Sequence, residues 1–166
     1  MDLQDCGLGC LPVMEVAPVV WNVYRSTVTR YTKQEAGIAY LAVALFADST
    51  EGRRYIEFQL ADEEDRDWGY CIVDGPPTRF QPGDDVDALV TMMASHATLY
   101  GGLLSVSFDG MDLVLTFNDE AQRLFEWPRE LTLRLDIAAD ELNALREGLH
   151  EVLAVGPGGN VPTITI

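Results

Sequence analysis

Cysteine and histidine are the residue types in this 166-residue chain that most often hold a structural zinc ion. Cys6 and Cys10 are separated by three residues, a spacing that invites comparison with a zinc site. Such a site needs about four ligands, and the other candidates are Cys71, His96 and His150. Because the number of cysteines is odd and a chain of this size needs no disulfide staple, we expect free, reduced thiols. The sequence therefore predicts no metal and no cofactor.

No group of catalytic residue types stands out by its spacing. Ser95 and His96 are adjacent in sequence, but a nucleophile and a base act together only where the fold makes them converge. Gly156, Gly158 and Gly159 neither follow a strand nor open a helix, as a phosphate-binding loop requires. Acidic residues are so abundant that no carboxylate pair is specific. We predict that the chain is not an enzyme, and the alternative is an enzyme whose site is assembled from dispersed residues.

The charge balance excludes several classes of partner. Acidic side chains outnumber basic ones by 27 to 11, and the formal net charge is −16. Binding to nucleic acid needs Lys and Arg to displace counterions from phosphates, and anionic membranes repel an acidic surface. No apolar run is long enough to span a bilayer, and residues 1–5 lack the basic start of a signal peptide. We expect a cytoplasmic globular protein that binds neither nucleic acid nor membranes.

The acidic charge is concentrated in residues 61–87, which carry nine acidic and two basic side chains and also hold Trp68 and Tyr70. Aromatic anchors within a charged rim are typical of tight protein interfaces. A solvated loop that keeps the protein soluble is the alternative. If the segment binds, electrostatic steering favours a basic partner protein. The predicted contact residues are Glu63, Glu64, Asp65, Asp67, Trp68, Asp84, Asp85 and Asp87.

Seven segments that would position these residues are predicted to be strands, by alternation of apolar and polar side chains or by a short apolar run. They are Trp21–Tyr31, Ala39–Ala47, Arg54–Leu60, Gly69–Asp74, Leu103–Phe108, Met111–Phe117 and Leu131–Leu135. The second and third form an antiparallel pair, and the fifth and sixth flank Asp109-Gly110, a dipeptide typical of two-residue hairpin turns. This hairpin should present one core face, made of Leu104, Val106, Phe108, Met111, Leu113, Leu115 and Phe117.

Two helices follow from capping residues and apolar spacing. Asn118-Asp119-Glu120 predicts the start of a short helix that ends near Phe125. Asp136 is expected to cap the longest helix, Ile137 to about Leu153. Its apolar stripe consists of Leu142, Leu145, Leu149 and Val152. Residues 86–94 fit either a helix or a strand, and we favour a helix capped by Asp84 or Asp85.

The predicted fold class is α+β, a mainly antiparallel β-sheet with a C-terminal amphipathic helix packed on one face. Residues 1–20 are predicted to be an irregular N-terminal arm, because Pro12 and Pro18 interrupt regular structure. Residues 21–155 should form a single domain. Residues 156–166 are either a tail or an added edge strand.

The order of several motifs resembles the Immunity protein 10 family of bacterial polymorphic toxin systems, over roughly Ala39–Leu153. The motifs are Arg54-Tyr55-Ile56-Glu57-Phe58-Gln59, Gly69-Tyr70-Cys71-Ile72-Val73, Leu99-Tyr100-Gly101-Gly102-Leu103 and Asn118-Asp119-Glu120-Ala121. The resemblance implies a small cytosolic protein that binds and neutralises a cognate toxin. Since many such toxins are basic nucleases, it also implies that carboxylates cover a phosphate-binding site.

The expected function is therefore that of an immunity protein that neutralises a cognate, basic toxin by protein–protein contact through an acidic surface. A stand-alone assembly module is a further alternative. In that case the apolar strand Val161–Ile166 would add to the sheet edge of a neighbouring molecule.

Overall fold

The computed structural model describes residues 17–50, 52–75 and 97–165 of the chain. These ranges contain nine strands, three α-helices and two 3₁₀ helices. In chain order they are β1 (Val19–Tyr31), α1 (Lys33–Ala36), β2 (Tyr40–Ser49), β3 (Gly52–Ala61), a first 3₁₀ helix (Glu63–Trp68), β4 (Cys71–Gly75), β5 (Ala97–Tyr100), β6 (Leu103–Asp109), β7 (Asp112–Phe117), α2 (Asp119–Phe125), β8 (Glu130–Leu135), α3 (Ala139–Val152), a second 3₁₀ helix (Pro157–Gly159) and β9 (Thr163–Thr165).

The described strands form one sheet in the order β5-β4-β3-β2-β1-β8-β7-β6-β9. The α+β class is confirmed, and β2 and β3 pair antiparallel as predicted. The sheet is nevertheless mixed, because β1 pairs with β8 in parallel and β6 pairs with β9 in parallel. Alternation along one strand reports which face is buried, but it does not report the direction of the neighbouring strand.

The predicted hairpin forms, but its turn and its core face differ from the prediction. Asp109 pairs with Asp112, so the two turn residues are Gly110 and Met111, and Gly110 has φ = 61°. Positive φ at the first turn residue is the type II′ arrangement, which suits glycine. A bulge at Leu104 shifts the register of β6, so that Leu104 is exposed while Leu103 is buried. The prediction that Leu104 and Met111 face the core is wrong, because the bulge turns Leu104 outward and Met111 lies in the exposed hairpin turn.

The helices are only partly as predicted. The Asn118 side chain accepts a hydrogen bond from the Ala121 N–H at 2.9 Å, which confirms the cap of α2. Asp136 does not cap α3, because the helix begins three residues later, at Ala139; the Asp136 N–H instead donates to the Val23 carbonyl at 2.8 Å and so continues the sheet beyond β8. The N-cap position is held by Ala138. The buried side chains of α3 are Leu145, Leu149 and Val152.

Helix α3 lies across β1, β2 and β3 on one face of the sheet. Gly148 allows this close approach, since a Cβ at this position would lie 2.8 Å from a methyl carbon of Val28 and 3.1 Å from one of Val43. The predicted packing of the C-terminal helix on one face is therefore confirmed. The C-terminal segment also returns to the sheet, where β9 pairs with β6 of its own chain as an edge strand.

Tyr70 connects the two ends of the curved sheet. Strands β5 and β6 stand near opposite ends of the strand order, yet only Gly101 and Gly102 separate them in sequence. The Tyr70 carbonyl accepts a hydrogen bond from Gly101 at 2.9 Å, and its hydroxyl oxygen accepts one from the Leu103 N–H at 3.1 Å. The Tyr70 ring is fully buried. These contacts hold the sheet around a single core.

Replacing Tyr70 with Phe is expected to lower the free energy of unfolding by about 1–3 kcal/mol at pH 7, because the buried Leu103 N–H loses its acceptor. The substitution should also change the stability at alkaline pH. Burial raises the pKa of Tyr70 to about 12, so the folded chain holds this proton more tightly than the unfolded chain. The contribution of the protonated Tyr70 hydroxyl to the free energy of unfolding is complete below pH 10. This contribution is lost as the pH rises toward 12, at up to about 1.4 kcal/mol per pH unit.

Urea unfolding of both proteins between pH 7 and pH 12 tests this prediction. The wild-type protein should lose more stability than the Tyr70→Phe variant between pH 10 and pH 12. Identical stabilities at pH 7, or parallel curves above pH 10, would show that the hydroxyl contributes nothing.

Candidate functional site

Residues Glu63–Trp68 of the acidic segment form the first 3₁₀ helix, between β3 and β4. This helix places Glu63, Glu64 and Asp65 in its first half, with Asp67 and Trp68 exposed at its end. The predicted contacts Asp84, Asp85 and Asp87 lie outside the described residues, as does the question of helix or strand at 86–94. The structure therefore brings five of the eight predicted residues onto one short helix.

Gly69 ends this helix and turns the chain into β4. Its backbone angles are φ = 75° and ψ = −176°, a combination open essentially only to glycine. Its N–H donates to the Arg66 carbonyl at 3.0 Å. The next residue, Tyr70, donates its N–H to the Val155 carbonyl at 2.9 Å, so the C-terminal segment holds the helix in place.

Trp68 packs against a second exposed aromatic residue that the sequence analysis did not select. The Trp68 side chain is 65% exposed and that of Tyr100 is 52% exposed. Their ring centroids are 5.9 Å apart, with the planes tilted by 51°. Tyr100 was noted only within the Tyr-Gly-Gly motif, and nothing in the sequence shows that β5 pairs with β4 and brings the two rings together.

A pocket with a volume of ≈230 Å³ opens beside these rings. Three aromatic residues and five small, apolar or neutral polar residues line it: Ile38, Tyr40, Gln59, Ala61, Trp68, Gly69, Cys71 and Tyr100. The sheet register assembles the floor, since Tyr40 pairs with Ala61, and Cys71 lies between Gln59 and Tyr100 on neighbouring strands. Paired positions present their side chains on the same face of a sheet. The pocket therefore lies on the surface of β2, β3, β4 and β5.

The floor of the pocket is a hydrogen-bonded row of side chains. The Cys71 thiol donates to Gln59 Oε1 at 3.8 Å, and Gln59 Nε2 donates to Glu57 Oε1. Glu57 lies two residues before Gln59 on β3 and is only 8% exposed. Tyr40 stacks on Tyr31 with a centroid distance of 4.7 Å. The floor therefore includes a nearly buried carboxyl group, which accepts a hydrogen bond from the Gln59 amide.

Burial and the charge of Glu57 keep the Cys71 thiol and the Tyr40 phenol of this floor neutral. Burial, assisted by Glu57, raises the pKa of the Cys71 thiol to about 11. The same two causes raise the pKa of the Tyr40 phenol to about 12. A thiol with a raised pKa is a poor nucleophile at pH 7, because the thiolate is the reactive form. This arrangement favours binding over covalent chemistry.

A larger depression of ≈520 Å³ lies on the other side of Tyr100. Its lining consists mainly of connecting segments, including Gly101, Gly102, Asn118 and Asn160. Tyr100 lines both cavities. Tyr100 therefore lies between two adjoining depressions of the surface, and Trp68 lines the smaller of them.

Within residues 17–50, 52–75 and 97–165, no group of three or more His, Cys, Asp or Glu side chains is placed to hold a metal ion. His150 is exposed on α3, and Cys71 is a buried free thiol. Cys6, Cys10, Ser95 and His96 lie outside the described residues. Among the described helices α3 is the longest, with 14 residues, and none is a candidate membrane span.

The site therefore offers exposed aromatic rings, a small neutral pocket and a neighbouring acidic helix, which is the composition of a protein-binding surface. No protein-family model matches the chain, and neither the curated proteins nor the solved structures contain a match. The function proposed below therefore rests on the chemistry of this surface and on the resemblance described above.

Proposed function

We propose that the protein is a cytoplasmic immunity protein that binds and neutralises a cognate bacterial toxin through the surface around the first 3₁₀ helix. The observation that carries the proposal is the exposed pair of Trp68 and Tyr100 beside that acidic helix. Tryptophan and tyrosine dominate the energy of protein interfaces because they bury a large area with few rotatable bonds. An exposed pair of this kind favours a binding role.

The charge of the same surface supports a basic partner. Five acidic residues and one basic residue lie at positions 62–67, in and just before the 3₁₀ helix. Arg66 has its nearest described carboxylate in Asp62, four residues earlier, at 3.9 Å and with both side chains partly exposed. Such a weak surface pair leaves the segment strongly negative. A negative surface accelerates the encounter with a positive partner at low ionic strength.

The identity of the partner as a toxin rests on the resemblance to the Immunity protein 10 family. Basic toxins that cut nucleic acid need a positively charged site, and a carboxylate-rich surface can occupy such a site in place of phosphates. The proposal therefore rests on two supports: the chemistry of the surface around Trp68, and the similarity in motif order to the Immunity protein 10 family.

The reading frame next to this gene supplies the test of the proposal. Its product should arrest bacterial growth when expressed alone, and coexpression of the wild-type chain should restore growth. The purified pair should form a complex whose association rate falls steeply with salt. Absence of both a complex and growth rescue would contradict the proposed function.

Neutralising the acidic helix should lower the association rate at least about tenfold at low salt. The test variant carries Glu63→Gln, Glu64→Gln, Asp65→Asn and Asp67→Asn. A control variant with the same change in net charge alters exposed acidic residues elsewhere: Glu126→Gln, Glu130→Gln, Asp140→Asn and Glu147→Gln. Stopped-flow mixing measures both rates. An equal association rate for the two variants would place the contact surface elsewhere.

A further inference from the structure

We infer that the pocket beside Trp68 receives an arginine side chain of the partner protein. This inference deepens the proposed function and rests on it for the identity of the partner. The pocket itself is a property of the described chain, and its affinity for a guanidinium group can be measured without any partner.

The walls of the pocket have the chemistry that attracts a cation. Tyr40, Trp68 and Tyr100 are three of its eight lining residues. Aromatic faces carry a negative quadrupole and bind a cation that lies within about 6 Å of the ring centroid, and tryptophan binds best. None of the eight lining residues is itself basic. The pocket would therefore present π faces to a cation without a repelling charge in its lining.

The floor supplies hydrogen-bond acceptors. Gln59 uses its Nε2 to donate to Glu57, which leaves the amide oxygen as the polar group of the floor. Within the described part of the chain, that oxygen accepts a hydrogen bond from the Cys71 thiol, a weak donor, at 3.8 Å. A guanidinium group has five N–H donors and no acceptor. The N–H groups of an arginine side chain therefore complement the Gln59 oxygen, which accepts only a weak hydrogen bond from the Cys71 thiol.

The charge surrounding the pocket selects a cation over a neutral or an anionic side chain. The carboxyl group of Glu57 is buried behind Gln59, and its charge is felt at both Tyr40 and Cys71. Asp67 directly precedes Trp68 in the chain, is exposed, and adds negative charge to this part of the surface. Burying a cation costs less where opposite charges lie nearby.

Size and shape favour one arginine over a larger ligand. The volume of ≈230 Å³ is below the range of about 300–1,000 Å³ that is typical for drug-sized ligands, and it suits a single side chain. Ile38 and Ala61 offer apolar surface to the methylene stem. Arginine is preferred to lysine because its planar guanidinium stacks on aromatic rings and is more weakly hydrated.

A titration with N-acetyl-argininamide, monitored by NMR, tests the pocket directly. The indole N–H of Trp68 and the amides of Cys71 and Tyr100 should shift, with an affinity at least about tenfold higher than for the citrulline analogue. Citrulline is the matched probe, because it keeps the shape of arginine and lacks the charge. The lysine and norleucine analogues complete the series and should bind more weakly than the arginine probe.

Variants separate the pocket from the rest of the surface. Trp68→Ala should abolish the shifts, whereas Met111→Ala should leave them unchanged, since it removes a similarly exposed apolar side chain at the distant hairpin turn. Retained amide spectra show that both variants are folded. Equal binding of citrulline or norleucine, tighter binding of lysine, or no shift up to the solubility limit of the arginine probe would each overturn the inference.

The toxin assay distinguishes failure of the pocket from failure of the proposed function. If Trp68→Ala neutralises the toxin as well as the wild-type chain does, the pocket inference fails and the immunity function stands. If the arginine probe binds as expected but the neighbouring gene product is neither bound nor neutralised, the pocket stands and the immunity function fails.

Discussion

Replacing Gly69 with Ala is expected to lower the free energy of unfolding by about 4 kcal/mol. Two costs add at this position. A residue with a Cβ is strained at φ = 75° and ψ = −176° by roughly 1–3 kcal/mol. The added Cβ would also lie 2.4 Å from the Pro157 nitrogen and 2.5 Å from the Gly156 carbonyl carbon. Because both atoms belong to the backbone, the clash is relieved only by moving the C-terminal segment, at about 1–3 kcal/mol.

Gly37→Ala is the matched control for this substitution. Gly37 has a similar φ of 81°, but a Cβ there would meet no atom within 4 Å. Its loss should be about 1 kcal/mol, the cost of an unfavourable backbone conformation alone. Urea denaturation measures both free energies. Equal losses for the two variants would show that contact with Pro157 does not constrain the turn.

The same change at Gly69 should disturb binding as well as folding. Gly69 directly follows Trp68 and lines the pocket, so a displaced turn alters the position of the indole ring relative to Tyr100. We expect Gly69→Ala to weaken binding of the arginine probe in the fraction of protein that remains folded. Gly37→Ala should bind the probe as tightly as the wild-type chain.

Replacing Trp127 with Ala is expected to cost about 3–5 kcal/mol of stability. Trp127 is only 4% exposed and lies between α2 and β8. Its ring contacts Phe125, Phe117 and Trp21, with centroid distances of 4.5, 5.0 and 5.8 Å. Removing the indole ring leaves a cavity that these three rings fill only in part. Thermal and urea unfolding of the variant measure the loss.

Trp68→Ala is the control for this second prediction, because it makes the same chemical change at an exposed position. Trp68 is 65% exposed, so its loss should change stability by about 0.5 kcal/mol or less. A cost of several kcal/mol for Trp68→Ala would assign that residue to the core. A negligible cost for Trp127→Ala would mean that the aromatic cluster does not contribute to folding.

Trp127 and Trp68 occupy opposite environments in this protein. One tryptophan is packed among aromatic residues in the core, and the other is held at the surface by a glycine turn and one neighbouring ring. A large apolar side chain gains nothing from exposure to water. Its retention at the surface is understandable if it contacts a partner.

Local sequence patterns predicted much of the secondary structure. The alternation of Ile56, Phe58 and Leu60 identifies β3, and all three side chains are buried. Asn118 correctly marks the start of α2. The errors at Leu104 and Asp136 have a common cause. The bulge in β6 appears only in its pairing with β7, and Asp136 donates to Val23 on β1, so both features depend on a neighbouring strand that alternation within one segment does not report.

Only the acidic residues and Trp68 of the candidate site could be predicted from the sequence. The charge density and Trp68 were visible in the sequence, since both lie within a few consecutive residues. Tyr40, Gln59, Cys71 and Tyr100 come from four different strands, and only their register brings them to one pocket. Whether the acidic residues contact a partner stays a prediction.

The sequence by itself determined where seven of the nine described strands lie, which side of α3 is apolar and where negative charge accumulates around Trp68. These properties depend on side-chain type and on periods of two and 3.6 residues, which are local. Only the tertiary structure decided that β1 and β8 are parallel, that Tyr100 meets Trp68 and that a pocket forms between them. Alternation specifies the face that each side chain occupies, whereas the neighbour across the sheet depends on loop closure and packing of the whole chain.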